Sequence, residues 1–345
     1  MQHVTKDWKR ELQDIIAQHN DRHAVKNKSV SYKTMRERSS FYVSFFTELR
    51  SNEERCYKIT PSRIAGRHIQ FMVNRWVERE LAPNTIHDYL SKLRVFAEWL
   101  GKDGLVRDAT FYVSNPALVN RTYSPENDKS WSAHGVDCNA LIAQITEADL
   151  FVGAQLAMCL AFGLRVNEAI MFQPFGVSAD GSILTLVRGT KGGRKRDVPI
   201  DTEEKRHALQ LARTVAIADD RHLGRPELSL EQNRKRFYKV VAKFGVTRAD
   251  LHTTANGLRH QYGNDRYEQF AHARSPVRAG PPIDRNMDRT ARLATALELG
   301  HSRGNITTTY VGAVLNIGRP DAPLAGSVIT SSAPLDDTQS IKGES

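Results

Sequence analysis

Cysteine is scarce. Three residues, Cys56, Cys138 and Cys159, stand among 345, and no two of them form a CxxC pair. The sequence therefore gives no basis for a disulfide framework or a thiolate zinc site, and the three read as ordinary thiols of a reducing cytoplasm. Long apolar runs are missing too. No stretch of eighteen apolar residues occurs, and the start, MQHVTKDWKRELQD, carries no apolar leader core, so membrane attachment and secretion are not expected. Acidic residues are in the minority, 39 against 49 Lys and Arg, which leaves a net charge of +10 and a pI near 9.5. A surplus of that sign suits a polyanion, and with the membrane disfavoured the expected partner is nucleic acid. No internal repeat is present.

What remains is an ordinary globular composition, 40% apolar and 26% charged, in a chain long enough for two cores. The first third reads as helical near 5–20 and 31–51, from apolar residues at mixed three and four spacing. Thr60-Pro61-Ser62 predicts a helix start, with Ile64, His68, Phe71, Met72, Trp76 and Val77 on one face. A further helix opens at Ala82-Pro83-Asn84, carries Tyr89, Leu90, Leu93, Phe96 and Leu100 as its stripe, and stops at Gly101. Its basic polar faces suit phosphate contacts along a duplex, or simply solvent. The polar stretch VNRTYSPENDKSWSAH predicts a linker over 119–132. Beyond it come an apolar segment from Leu141, a β-hairpin in SILTLVRGTKGGRKRDVPI, and helices near 202–218, 229–244, 257–270 and 289–300. Residues 321–345, rich in Ser, Pro, Asp and Gly, read as a disordered tail.

Four places carry candidate chemistry. Gly163-Leu164-Arg165 puts an arginine beside a turn at a helix start, with Glu168 one turn on to orient its fork toward a phosphate. Lys191 sits in the hairpin turn GTKGGRK, a spacing that does not satisfy a nucleotide-cradling P-loop. Its ammonium can protonate a leaving alkoxide. Arg188, Arg194, Lys195 and Arg196 around it equally suit general attraction of DNA phosphates. Asn256-Gly257-Leu258-Arg259-His260 places a second arginine at another helix start. Last, ELGHSRGNITTTYVG sets His301 and Tyr310 nine positions apart.

In this order the four signals resemble the tyrosine recombinases, the phage-integrase family. The motifs cover about residues 133–312, and the N-terminal helices look like the family's core-binding domain. The resemblance implies a mainly α fold with a small antiparallel β-sheet, arranged as a two-domain C-shaped clamp. A core-binding domain over 1–118 and a catalytic domain over 133–320 would grip the duplex. It also implies the roles. Tyr310 is the nucleophile, Arg165 and Arg259 are the catalytic arginines, His301 bonds the scissile phosphate, Lys191 is the general acid, and Glu168 supports the first arginine.

The implied activity is site-specific recombination through a 3′-phosphotyrosyl intermediate, needing no cofactor, metal or ATP. The implied assembly is a homotetramer on two synapsed duplexes exchanging strands through a Holliday junction. The implied setting is a bacterial nucleoid and a mobile element, with an accessory DNA-bending or directionality protein as a further partner. Val311, Val314 and Leu315 would pack on a neighbouring subunit. A DNA-binding protein with weakened chemistry and a type IB topoisomerase are the alternatives.

Two departures from the family stand out. Asn256 occupies the usual His/Lys position three residues before Arg259, and an amide cannot take a proton from a phenol at neutral pH. His260 follows Arg259 and is expected to support packing. The interval from Arg259 to His301 is also long, and its HARSPVRAGPPIDRNMDR reads as a loop for DNA, for a neighbour or for solvent alone.

Overall fold

The computed structural model describes residues 7–21, 29–52, 58–216 and 221–313. The chain forms two compact units, Met1–Thr122 and Tyr123–Ser345. Cys56, Val314, Leu315 and the tail 321–345 lie outside the described residues.

The first unit is helical: α1 (Trp8–His19), α2 (Tyr32–Asn52), α3 (Gly66–Glu78) and α4 (Pro83–Trp99). Asp7 caps α1 by accepting the Lys9 N–H, and Pro83 sits in the first turn of α4, where its missing N–H costs nothing. Gly101 ends α4 at a φ of 64°, as its position predicts. The core is aromatic. Tyr42 and Phe96 pack at 4.9 Å between ring centroids, Phe45 and Phe46 edge to face at 5.2 Å, and Trp76 is 2% exposed. Offset and edge-on contacts of this kind match the ring quadrupoles.

One boundary differs from expectation. Pro61 opens only a 3₁₀ turn, Pro61–Arg63, and the helix proper begins five residues later. Ile64 turns extended there, its side chain buried at 2% exposure, and His68 Nδ1 accepts the Ala65 N–H to cap α3. His68 therefore acts on the backbone of its own helix start.

The second unit holds α5 (Cys138–Ala148), α6 (Leu150–Phe162), α7 (Val166–Ile170), β1 (Ile183–Leu186), β2 (Arg196–Pro199) and α8 (Glu203–Val215). It continues with α9 (Leu230–Lys243), α10 (Gly257–Ala271), α11 (Arg285–Glu298) and α12 (Thr308–Val311). The long apolar segment after Leu141 is split at Asp149, which ends α5 and caps α6 by accepting the Val152 N–H. Most of α6 is buried among α5, α8 and α10, so apolar residues occupy every side of it and no amphipathic stripe marks it. β1 and β2 pair antiparallel, Leu184 opposite Val198 and Leu186 opposite Arg196. Alternation drives Leu184, Leu186 and Val198 inward.

The expected linker is shorter than 119–132. Val119 is buried in the first core, while Ser130 and Trp131 are fully buried in the second, where Trp131 Nε1 donates to the Thr254 carbonyl at 2.8 Å. A polar composition concealed one anchoring indole. Val311 is likewise buried in its own unit's core and is not available to a neighbour. No helix among the described residues is long and apolar enough to cross a membrane.

Trp131→Ala should remove a fully enclosed side chain and leave the Thr254 carbonyl without that partner. The expected loss is about 3–5 kcal/mol of stability, read from denaturant unfolding. A loss below roughly 1 kcal/mol would show that the indole only lies against the unit.

Candidate active site

The site grows from a helix end. Gly163 terminates α6 in the left-handed conformation, with a φ of 60°. A Cβ there would stand 2.5 Å from the Tyr262 ring, so conformation and space both demand glycine. The sharp turn sets Arg165 at the start of α7. Its N–H donates to Glu168 Oε2 at 2.8 Å, and its guanidinium to Glu168 Oε1 at 2.7 Å. Glu168 is fully buried, and it also pairs with Arg196 at 3.0 Å and lies 4.0 Å from Arg259 Nη1. Burial works against its charge. The charge of Arg196, then the N–H and charge of Arg165, then the charge of Arg259 outweigh that cost and hold the carboxyl below its usual range.

Arg196 corrects an expectation. It was grouped with Arg188, Arg194 and Lys195 as a contact for DNA, but it is 6% exposed and committed to Glu168 and the Leu299 carbonyl. Its position on β2 opposite Leu186 faces it inward, whereas the other three are exposed around the hairpin. Burial lowers its guanidinium to about 10, Glu168 opposing. It therefore serves as a counter-ion inside the unit. Lys191 lies on the turn that joins β1 to β2, and Arg194 reaches Ser302, next to His301, at 3.5 Å.

Arg259, from the first turn of α10, is 1% exposed. Its Nη1 donates to the Gly163 carbonyl and its Nη2 to the Leu299 carbonyl. Its Nε donates to the Tyr310 hydroxyl at 3.0 Å, and Nη2 also lies 3.4 Å from His301 Nε2. The remaining side of the triangle, His301 Nε2 to the Tyr310 hydroxyl, is 3.3 Å. A guanidinium has donors only, so the nitrogen that faces it must present a lone pair. With its proton on Nδ1, His301 presents at Nε2 a single lone pair, which the Arg259 guanidinium and the Tyr310 hydroxyl share. The phenol oxygen accepts from the Arg259 cation and lies within hydrogen-bond reach of the His301 imidazole.

Tyr310 is 9% exposed on the single turn of α12. Gly263 lies one turn along α10 from Arg259, and a Cβ there would come within 3.2 Å of the Tyr310 Cβ. The sequence reading missed Gly263, although a lone glycine inside an otherwise helical pattern marks a close approach. It also missed Arg292, which donates to Thr308 Oγ1 at 3.2 Å and to the Gly312 carbonyl at 3.0 Å and so holds both ends of α12.

Asn256 holds the N-cap position of α10 without a side-chain bond to the helix, and its side chain is exposed. His260 packs its ring 5.0 Å from that of Tyr310. Among the described residues no group of three or more His, Cys, Asp and Glu is arranged to hold a metal.

Comparison with known proteins follows the same lines. Residues 124–265 match the family model of the integrases. No curated protein matches the chain. Among solved structures, a lambda integrase dimer bound to a COC′ core site is 14% identical with a TM-score of 0.54, over 92% of this chain and 98% of that one. The Tn1549 transposon integrase in complex with circular intermediate DNA is 14% identical at 0.53, over 88% and 96%. A lambda integrase tetramer bound to a Holliday junction is 14% identical at 0.54, over 88% and 76%. The fold, mainly helical with a two-stranded antiparallel sheet among the described residues, is shared with these integrase structures.

His260 supplies a pH signature. Burial first, then Lys129 and Arg259 against Asp128, lowers its imidazole from 6.5 to about 4. The unfolded chain takes up this proton below pH 6.5 and the folded one does not, so the contribution is whole above 6.5 and is lost as pH falls toward 4. In that window His260→Gln should flatten the fall of unfolding free energy by up to about 1.4 kcal/mol per pH unit. Parallel stability curves for the two proteins would refute a neutral, buried imidazole.

Proposed function

We propose that this chain is a site-specific DNA recombinase that breaks and rejoins strands through a 3′-phosphotyrosine on Tyr310. The observation that carries the reading is the closed triangle of Tyr310, Arg259 and His301, with Arg165 placed beside it by Glu168. A scissile phosphodiester seated there meets two guanidinium groups as its non-bridging oxygens gain charge. Donors fixed in advance by buried carbonyls and a carboxylate need no reorganisation at that moment. The Tyr310 oxygen attacks phosphorus in line, and its proton passes to His301 Nε2. The bond to the 5′-oxygen breaks, and that oxygen takes a proton from Lys191. The phosphotyrosine conserves the energy of the broken bond, so a 5′-hydroxyl from a partner duplex can reverse the steps without ATP. Four copies on two duplexes would exchange strands in turn through a Holliday junction, as part of the integration, excision or resolution of a mobile element. The basic balance and the exposed Arg188, Arg194 and Lys195 support DNA as the partner, and binding should weaken steeply with salt.

The direct test is a nicked duplex carrying the recombination site, which traps a covalent protein–DNA species because the cut strand diffuses away. Wild-type protein should form it and Tyr310→Phe should not. Strand joining that persists in Tyr310→Phe would sink the proposal, and binding without any adduct would favour an accessory DNA-binding protein.

The proton route makes a separate prediction. His301→Gln should slow adduct formation by roughly 10²–10⁴. An unchanged rate in His301→Gln would remove His301 from the proton route. Asn256→His, which adds a second imidazole, should raise the rate, and by a larger factor in the His301→Gln background.

A further inference from the structure

The long loop between α10 and α11 does not lie loose. Its turn Pro276–Arg278 ends at Ala279 in the left-handed region, with a φ of 56°, and Ser275 within it is fully buried. Arg278, its side chain 12% exposed, gathers four partners from two distant parts of the sequence. Its Nε donates to Asp128 at 2.8 Å and its Nη2 to Ser130 Oγ at 3.2 Å, both in the segment that enters the second unit. Its Nη1 donates to Asp265 at 2.7 Å and to Glu268 at 3.2 Å, both on α10.

The same two regions converge on the backbone of Tyr310. Asn264, fully buried, donates to the Tyr310 carbonyl at 3.4 Å and to Asp128 at 3.4 Å, and accepts from Ser275 Oγ at 2.6 Å. Val277 abuts Gly312, where a Cβ would come within 3.0 Å of the Val277 nitrogen. The Ala313 N–H donates to Ser124 Oγ at 2.8 Å. Both sides of Tyr310 are thus tied to residues 124–130 or to the loop that Arg278 fixes to them.

We propose that Arg278 is a positioning residue for Tyr310. Its guanidinium fork clamps the entry segment, the loop and α10 into one seat for α12, so that the phenol is aimed by a segment lying next to the boundary between the two units. The role in catalysis rests on Tyr310 being the nucleophile; the seating itself does not. An ammonium would direct its donors from one point, whereas the guanidinium reaches Asp128, Asp265 and Ser130 from three separate nitrogens, which favours arginine here.

The test uses the full chain with Arg278→Met, Arg278→Lys and Asp128→Asn. Amide hydrogen exchange over 308–313 reports the seat without any need for activity. It should quicken at least tenfold in all three variants, while exchange in α6 stays slow. On nicked DNA, the rate of adduct formation at saturating protein should fall roughly 10- to 100-fold. The concentration giving half-saturation should not change, because positioning acts after binding. Arg278→Met combined with Asp128→Asn should be no worse than the poorer single variant, as expected for partners in one network. If Arg278→Met fails to fold, because its carboxylate partners are left buried, Arg278→Lys retains the charge and decides the matter. Unchanged exchange over 308–313 in a folded variant would overturn the proposal. So would a slower rate explained wholly by weaker DNA binding. A wild-type protein that never forms an adduct would overturn the recombinase reading, while the exchange data would still judge the seat.

Discussion

A single buried carboxylate carries the second unit's active face. Glu168 lies among three guanidinium groups, bonded to Arg165 and Arg196 and 4.0 Å from Arg259. Without it, three like charges would be gathered in a poorly solvated place, where repulsion is strong and hydration is weak. With it, the cluster keeps a surplus of positive charge, which is what a phosphodiester gaining charge requires. The division of labour follows from exposure. Arg196 is enclosed and acts inside the protein, Arg165 retains access to solvent, and Arg259 is locked by the Gly163 and Leu299 carbonyls so that one edge faces Tyr310.

The groups assigned to the proposed reaction stand on different elements, and the core registers them. Arg165 follows α6, Arg259 opens α10, His301 follows α11, and Tyr310 rides on a helix of one turn. So short a helix has no stability of its own. Its conformation is imposed by Gly263 beneath it, by Arg292 at its ends, and by the network through Asn264 and Arg278. The position of the phenol therefore depends on side chains outside the triangle of Tyr310, Arg259 and His301.

Several features were legible because local chemistry dictates them. Proline at 83 and glycine at 101 bracket α4, and glycine at 163 with glutamate three residues after Arg165 announces a turn and a supported guanidinium. The hairpin declared itself by alternation around Gly192-Gly193. Other features were hidden. Pro61 reads as a helix start, but burial of Ile64 interrupts the helix until His68 can cap a new one. Trp131 sits in a polar stretch that reads as linker, and the segment from 272 to 289 reads as a loop for DNA, for a neighbour or for solvent alone. In the last two cases the deciding partner, Thr254 for Trp131 and Asp128 for Arg278, is more than a hundred residues away in sequence.

The sequence by itself determined which residue types are present for phosphate chemistry, their order, and the local turns that introduce them, because turn and cap preferences act over three or four residues. Tertiary structure alone decided that Arg196 faces inward while its hairpin neighbours face out. It decided too that His301 Nε2 comes within 3.3 Å of the phenol oxygen, and that the Asn256 side chain is exposed. These outcomes depend on which groups are left buried together. Desolvation then requires each buried charge and donor to find a partner, wherever along the chain that partner lies.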